Sequence, residues 1–323
     1  MLPLPDGKVV LWRTAGLGSR AATILHLPDT GRQPHLYILN TVPTIRRQHT
    51  VINTTSPTGL ATLSTCADAV AGWHIRNDLL LNPTKTEAIV TGTLQQIAKL
   101  DQLEGVTMCG AAVPFGSTLR ILEVMLDSEH TFDEHITVIV CAYNFHLCLF
   151  CHIRHLIDRE VANTIACLIV CSRLDYYNSI LYGVTENNIG RLQRIQNALA
   201  RVVCDAPYRS SATILRRSLH WLSIKQRIVY KVVMMTFKVW LHQQPLNISE
   251  LVVDYRPSQT LQWSGMNLLA EPRTKTLIAS RAFSSVAPHV WISLPPLAHS
   301  PTSIETFRSR VKTFLFEVAY KDP

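Results

Sequence analysis

From Ser128 to about Leu241 the apolar residues recur at the spacing of an α-helix with little interruption. In ENNIGRLQRIQNALARVVCD, Ile189, Leu192, Ile195, Leu199, Val202 and Val203 fall within one arc at about 100° per residue. Arg191, Arg194 and Arg201 gather on the adjoining arc. KQRIVYKVVMMTFKVWL repeats the arrangement: Arg227, Lys231 and Lys238 share a stripe at spacings of four and seven, opposite Ile228, Val232, Val239 and Trp240. Two helices are therefore expected to offer basic ridges beside buried faces.

The ridges belong to a wider asymmetry of charge. Between Cys151 and Gln243 there are 13 Lys and Arg against 5 acids, so this segment accounts for the whole net charge of +8. A concentrated basic face suits a phosphate backbone or another anionic surface. Its plain alternative is a solvated helical face.

Upstream the pattern changes. SPTGLATLSTCADAVAGWHIRNDLLLN starts with a Ser-Pro turn, then sets Leu60, Leu63, Ala67, Val70 and Ile75 at near-helical spacing, with Asn77 and Asp78 closing a helix of about four turns. TEAIVTG and LRILEVMLD, rich in β-branched residues, read as short strands with a loop or weak hairpin between them. Residues 1–48 hold no sustained period and carry Pro at 3, 5, 28, 34 and 43, so irregular, poorly ordered structure is expected there. The tail, 242–323, is punctuated by proline and ends in the amphipathic run SIETFRSRVKTFLFEVAY. With 323 residues, 47% of them hydrophobic, the chain can build one large or two ordinary domains. The expected class is α+β, mostly α-helical: a partial α+β fragment followed by a helical bundle.

Several classes lack support. Eight scattered cysteines and an N-terminus without a charged region before an apolar core suggest neither secretion nor a disulfide framework, and an intracellular, nuclear or cytoplasmic, protein is expected. The most apolar window, Thr137–Ile157, is interrupted by Asn144, His146, His152, Arg154 and His155, so a buried helix is expected there and no membrane partner. No Ser-His-Asp order, glycine-rich phosphate loop or nucleotide fingerprint occurs.

Five blocks in order, NPTKTEAIVTG, LDSEHTFDEHI, SRLDYYNSILYGVTENNIGRLQRIQNALARVV, SLHWLSIKQRIVYKV and SRAFSSVAPHVWISLP, resemble the C-terminal part of reverse transcriptases from LINE-type non-LTR retrotransposons, over roughly Thr50–Lys321. The resemblance implies the end of a palm at 49–127, a helical thumb at 128–241 and a C-terminal extension at 242–323. It places Lys85 as the lysine beside the polymerase site, where positive charge assists phosphoryl transfer. LRILEVMLD takes the place of the primer-gripping hairpin, but Leu122-Glu123 stands where the family favours Leu-Gly, and a carboxylate there repels a primer phosphate.

Family chemistry needs two Mg2+ ions held by Asp residues, one in a strand far upstream and two in an aromatic-Ala-Asp-Asp hairpin just before the helix near Ser56. The upstream strand is not within these residues, and no Asp occurs between Asp29 and Asp68. The expectation is a catalytically inactive remnant without a metal site or cofactor. IRRQHT is encodable by bases that, read one position later, spell Phe-Ala-Asp-Asn-Thr, one base change from the family's Phe-Ala-Asp-Asp-Thr. This motivates the hypothesis that residues 1–48 are partly read in a shifted frame, and transcript codons unable to spell that peptide would rule it out.

Other clusters have ordinary readings. Cys148, Cys151, His152 and His155 are zinc-type ligands, but they share one helix-like run without a second C-x-x-C pair. Cys167 and Cys171 read as core residues, and Asp127, Asp133 and Glu134 as helix capping rather than metal ligands. Arg173 and Asp175 look like a structural ion pair or turn, Tyr176 and Tyr177 like packing or base-stacking residues, and Trp221 like a core anchor. The expected partner is RNA, DNA or their hybrid, bound weakly and without sequence preference through Arg191, Arg194, Arg201, Arg227, Lys231 and Lys238. The alternative is a helical protein-interaction module, or a transcribed fragment without a selected role.

Overall fold

The computed structural model describes residues 35–41, 47–53, scattered positions from 65 to 78, and 86–98, 105–108, 110–171, 174–255, 267–299 and 303–321. They form an α+β structure, mostly α-helical, that divides into two compact units between Glu134 and His135.

The first unit is built on a five-stranded sheet in the order β2-β1-β3-β5-β4. Its strands are β1 (His35–Thr41), β2 (Arg47–Asn53), β3 (Glu87–Thr91), β4 (Gly105–Met108) and β5 (Ala111–Gly116). The short helix α1 (Leu94–Ile97) follows β3. β1 pairs antiparallel with both β2 and β3, and β3 pairs parallel with β5. The hairpin β1–β2 overlaps the end of the segment expected to be irregular, residues 1–48, of which 1–34 and 42–46 lie outside the described residues. Pro34 and Pro43 flank HLYILNT rather than interrupt it, and proline is tolerated at strand ends. Ala88, Ile89 and Thr91 of β3 are buried, as a strand between two neighbours should be. The described positions between Thr65 and Ile75 are helical, and Asp78, at φ 55°, stops that stretch in the left-handed conformation.

LRILEVMLD is a hairpin rather than a single strand: β6 (Thr118–Ile121) and β7 (Val124–Asp127) pair antiparallel. Leu122 and Glu123 form the turn with φ of 49° and 71°, the two positive values of a two-residue hairpin. Leu119, Ile121, Val124 and Leu126 are all buried, which explains why the run reads as continuously apolar. A left-handed non-glycine residue costs roughly 1 kcal/mol, partly offset because glycine has more unfolded freedom to lose. Glu123→Gly is therefore expected to raise the stability of this unit by about 0.5 kcal/mol, read as a higher urea midpoint. A lower midpoint would mean that the exposed Arg120–Glu123 ion pair outweighs the strain.

The Asp127 carboxylate accepts the amides of Thr131 (2.7 Å) and Phe132 (2.8 Å), a capping arrangement ahead of α2 (Asp133–Ile153). α2 corrects the expectation of a buried helix. His135, Ile136, Tyr143 and Phe150 are buried on one face, while Val138, Phe145 and Leu149 are exposed on the other. A turn of 3-10 helix (Arg154–Leu156) and the Asp158 cap lead into α3 (Arg159–Ile165), which runs on as a π-helical turn, Ala166–Cys171. The wider π turn changes the facing of side chains, and Cys167, expected in the core, is exposed.

The rest of the second unit gathers around α4 (Glu186–Val203) and α6 (Ile224–His242), with α5 (Ala212–Ser218) packed on α4. Residues of α4 hold the entry to α6: the Ile224 amide donates to Gln193 Oε1 (3.0 Å), and Gln196 Nε2 donates to the Leu222 carbonyl (2.8 Å). Trp221, in the connecting turn, is a buried anchor whose Nε1 donates to Asn163 Oδ1 at 3.1 Å.

No division falls at residue 241. After α7 (Leu246–Ser249) and α8 (Leu277–Ser280), the helices α9 (Phe283–Ile292) and α10 (Ile304–Tyr320) pack on α6. One apolar cluster joins Val233 and Phe237 of α6, Val286, Val290 and Trp291 of α9, and Phe307, Val311 and Leu315 of α10. The segment expected as an extension thus completes the core of the helical unit.

Candidate nucleic-acid interface

Helices α2 and α4 run side by side in the same direction. Near their N-terminal ends, Arg191 Nη2 donates to Thr137 Oγ1 at 2.7 Å. Beyond the C-terminal end of α2, Arg154 donates through Nε to the Val202 carbonyl (2.9 Å) and through Nη2 to that of Val203 (3.0 Å). Between these attachments lies an open cleft of about 240 Å³, lined by Val140 and Asn144 from α2 and by Arg191, Arg194, Ile195 and Ala198 from α4.

The periodicity of α4 explains the cleft. Leu192, Ile195, Leu199 and Val203 form its buried face, which leaves Arg191 at the flank toward α2 and Arg194 exposed beside it. Arg191 is steadied by Asn188 Oδ1 at 3.3 Å as well as by Thr137. The cleft thus sets two guanidiniums, whose planar donors match the oxygens of a phosphate or carboxylate, beside a shallow apolar floor.

Arg201 lies two turns beyond Arg194. Its Nε donates to the Ser210 carbonyl (3.2 Å), and its guanidinium sits over the Tyr208 ring at 5.4 Å from the centroid. Tyr208 is 88% exposed, and a solvent-facing ring beside an arginine can stack on an unpaired base. Sequence reasoning passed over Tyr208 because it stands outside the helical period. Tyr176, which was considered for stacking, is half exposed and meets Tyr177 edge-on at 4.2 Å.

The α6 stripe has a different fate. Arg227 forms a two-point ion pair with Asp175, with Nε to Oδ1 at 2.9 Å, and Asn178 Nδ2 shares the same oxygen at 3.3 Å. Asp175 is thus in a structural ion pair, with a partner 52 residues away; Arg173 lies outside the described residues. Lys231 is half-buried and Lys238 exposed, both opposite the buried face of α6, and no α6 residue lines the cleft. The structure therefore brings Arg191 and Arg194 together and leaves Lys231 and Lys238 apart from them. Lys85 lies outside the described residues.

Among the described residues no three His, Cys, Asp or Glu side chains come together as metal ligands. Cys148 and Cys151 are exposed on α2, and the His152 ring nitrogen Nδ1 donates to the Cys148 carbonyl at 2.8 Å. Partial burial, with a smaller contribution from Cys148, pushes the Cys151 thiol up. Burial alone lowers the pKa of His135, on the packed face of α2, to about 4, which keeps that imidazole uncharged.

No family model matches the chain, and neither a curated protein nor a solved structure matches it.

Proposed function

We propose that the chain is a remnant of a retrotransposon RNA-directed DNA polymerase whose helical unit retains weak, sequence-indifferent binding to RNA, DNA or their hybrid. The observation that carries the binding reading is the cleft between α2 and α4, where Arg191 and Arg194 converge in the most basic part of the chain. The order of elements supports the origin: hairpin β1–β2, a helical stretch, β3, hairpin β6–β7, then a helical unit. That is the order expected for the end of a palm followed by a thumb. No Asp occurs between Asp29 and Asp68, so the hairpin standing where the family holds its metal-binding pair has no carboxylate pair for Mg2+. The reading therefore assigns binding to this chain and no polymerase step.

The test is binding of the full chain to a labelled RNA–DNA hybrid across a salt series. The expected plot of log affinity against log salt falls steeply, and Arg191→Gln with Arg194→Gln flattens the slope by roughly 1.5 units for two lost phosphate contacts. Arg227→Gln is not informative for binding because it removes an internal ion pair. No binding at low salt, or a slope unchanged by the double substitution, overturns the reading. The second reading, a protein-interaction module, is favoured by the exposed apolar face of α2.

A further inference from the structure

The connection from α4 to α5 carries an aromatic side chain at its tip. α4 ends with Asp205 in the left-handed conformation, at φ 50°, and the Ala206 amide donates back to the Arg201 carbonyl at 2.9 Å. The chain then turns over Pro207–Ser210, closed by the Ser210 amide on the Pro207 carbonyl at 2.9 Å, so Tyr208 and Arg209 take the two central positions. Arg201 pins this turn to the helix through the Ser210 carbonyl, and its guanidinium backs one face of the Tyr208 ring. Tyr208 is nevertheless the most exposed large apolar side chain among the described residues. A lone exposed ring is ordinary, but one fixed by a closed turn and backed by a cation is a preformed stacking surface, because its ordering entropy is lost on folding rather than on binding.

The surrounding charge selects the occupant. Arg201 follows Arg194 by seven residues, so the two lie on one side of α4, roughly 10 Å apart along its axis. From Arg191 to Arg217 there are six arginines and one acid, Asp205, and Arg209 beside the ring is exposed. α2, the other wall of the cleft, holds no Asp, Glu, Lys or Arg between Glu134 and Arg154. Asp158 and Glu160, at the start of α3, are matched by Arg154 and Arg159, which leaves the positive excess of the ridge intact. A line of arginines that ends at an open aromatic face suits a polyanion that also presents flat rings.

We propose that Tyr208 stacks on an unpaired base, so that the helical unit gains affinity for single-stranded nucleic acid that a duplex or hybrid does not receive. The proposal rests on the nucleic-acid reading above. Within a duplex each base is already stacked on both faces and turned inward, so a ring at the level of the backbone meets a base only where a strand is unpaired. Every base has a π-face, and the contact therefore adds affinity without sequence preference. Arg201 acts here as a positioning residue, through the turn and the ring that it holds.

The experiment is fluorescence anisotropy of the full chain with labelled oligouridylate, with the labelled RNA–DNA hybrid and with an abasic phosphodiester strand, each across a salt series. Tyr208→Ala should weaken oligouridylate binding about ten-fold, the scale of one stacked base, and leave the hybrid and the abasic strand unchanged. The salt slope for oligouridylate should stay that of the native chain, because a stacked base releases no counterion. Tyr208→Phe should bind as the native chain does, and circular dichroism checks that both variants keep their helix content. The Arg191→Gln, Arg194→Gln pair should instead flatten the slope for all three ligands. No binding to any of them at low salt overturns the nucleic-acid reading and this inference with it. Binding that depends on the arginine pair but is unmoved by Tyr208→Ala on oligouridylate overturns this inference alone. An equal loss on all three ligands, with phenylalanine no better than alanine, reduces the ring to a prop for Arg201 and overturns it as well. Polyglutamate held as tightly as oligouridylate assigns the ridge to acidic protein segments and has the same consequence.

Discussion

Replacing Trp291 with alanine should destabilise the helical unit by about 4 kcal/mol, the range for deleting a large buried aromatic side chain. Trp291 has no accessible surface. Its ring lies 5.7 Å from Phe307 of α10, 5.9 Å from Trp240 and 6.4 Å from Phe237 of α6, and 5.2 Å from His299. Its Nε1 donates to the Asn267 carbonyl at 2.7 Å, so alanine removes volume from three helices and leaves a carbonyl without its donor. In a unit of this size the loss corresponds to a fall in melting temperature of roughly 10 °C. Thermal and urea unfolding followed by far-ultraviolet circular dichroism checks it. A change under about 1 kcal/mol would mean that residues 267–321 pack as an appendage, and that α6 finds its core elsewhere. Trp291→Phe, which keeps most of the ring volume, should recover more than half of the loss.

That expectation depends on something the sequence conceals. The tail from 242 onward is broken by prolines and reads as peripheral, yet α9 is buried on nearly every side, with Phe283, Val286, Ala287, Val290 and Trp291 all within the core. A helix buried all round has no polar face, and so lacks the two-sided pattern by which a surface helix is recognised. The end of the chain is latched as well. The Tyr320 hydroxyl donates to the Trp221 carbonyl, and the Arg216 guanidinium sits over the Tyr320 ring at 5.8 Å. Such closures join positions about a hundred residues apart, and no local period encodes them.

The one-sided helices were legible. The apolar arc of α4 predicted most of its buried face, because a face half covered by neighbours must alternate with the helical period. Leu192, Ile195, Leu199 and Val203 are buried, Ile189 and Val202 are partly so, and Asn188, Gln196 and Ala200 join the face without having been expected there. Hairpins were harder. At Leu122–Glu123 the turn carries neither glycine nor asparagine, the residues by which such turns are ordinarily found, so two short strands merged into one.

For the candidate site, sequence periodicity located the basic ridge of α4 but not the other wall of the cleft. Val140 and Asn144 are ordinary residues of an apolar helix, and only the parallel alignment of α2 with α4 gives them a role. The opposite happened on α6. Arg227 is spaced like a surface cation, but the turn at Asp175 lies beside it and binds its fork, so one member of the apparent stripe is held by the fold itself. Spacing identifies the face on which a charge sits; the partner that meets it depends on tertiary contacts.

Arg154 carries this furthest, because it lies within the segment that makes the chain basic and yet its side chain is directed inward. Beyond its bonds to Val202 and Val203 it donates through Nη1 to the Ile157 carbonyl at 2.7 Å, so one guanidinium serves three carbonyls. Two of these are at the C-terminal end of α4, where the helix dipole favours positive charge; the Val202 carbonyl also accepts the Asp205 amide at 3.1 Å. Arg154→Ala should therefore cost about 3 kcal/mol, chiefly through the loss of three charge-assisted bonds. Arg154→Lys keeps the charge and reaches fewer acceptors, so it should fall between alanine and the native residue. Urea unfolding gives the totals, and hydrogen exchange separates the causes. If Arg154 joins α2 to α4, the alanine variant should expose amides in the last turn of α4 and around Ile157 ahead of those in α6. A uniform rise in exchange across the unit, with alanine and lysine equivalent, would instead reduce Arg154 to a net-charge effect and leave α2 attached to α4 chiefly through Arg191 and Thr137.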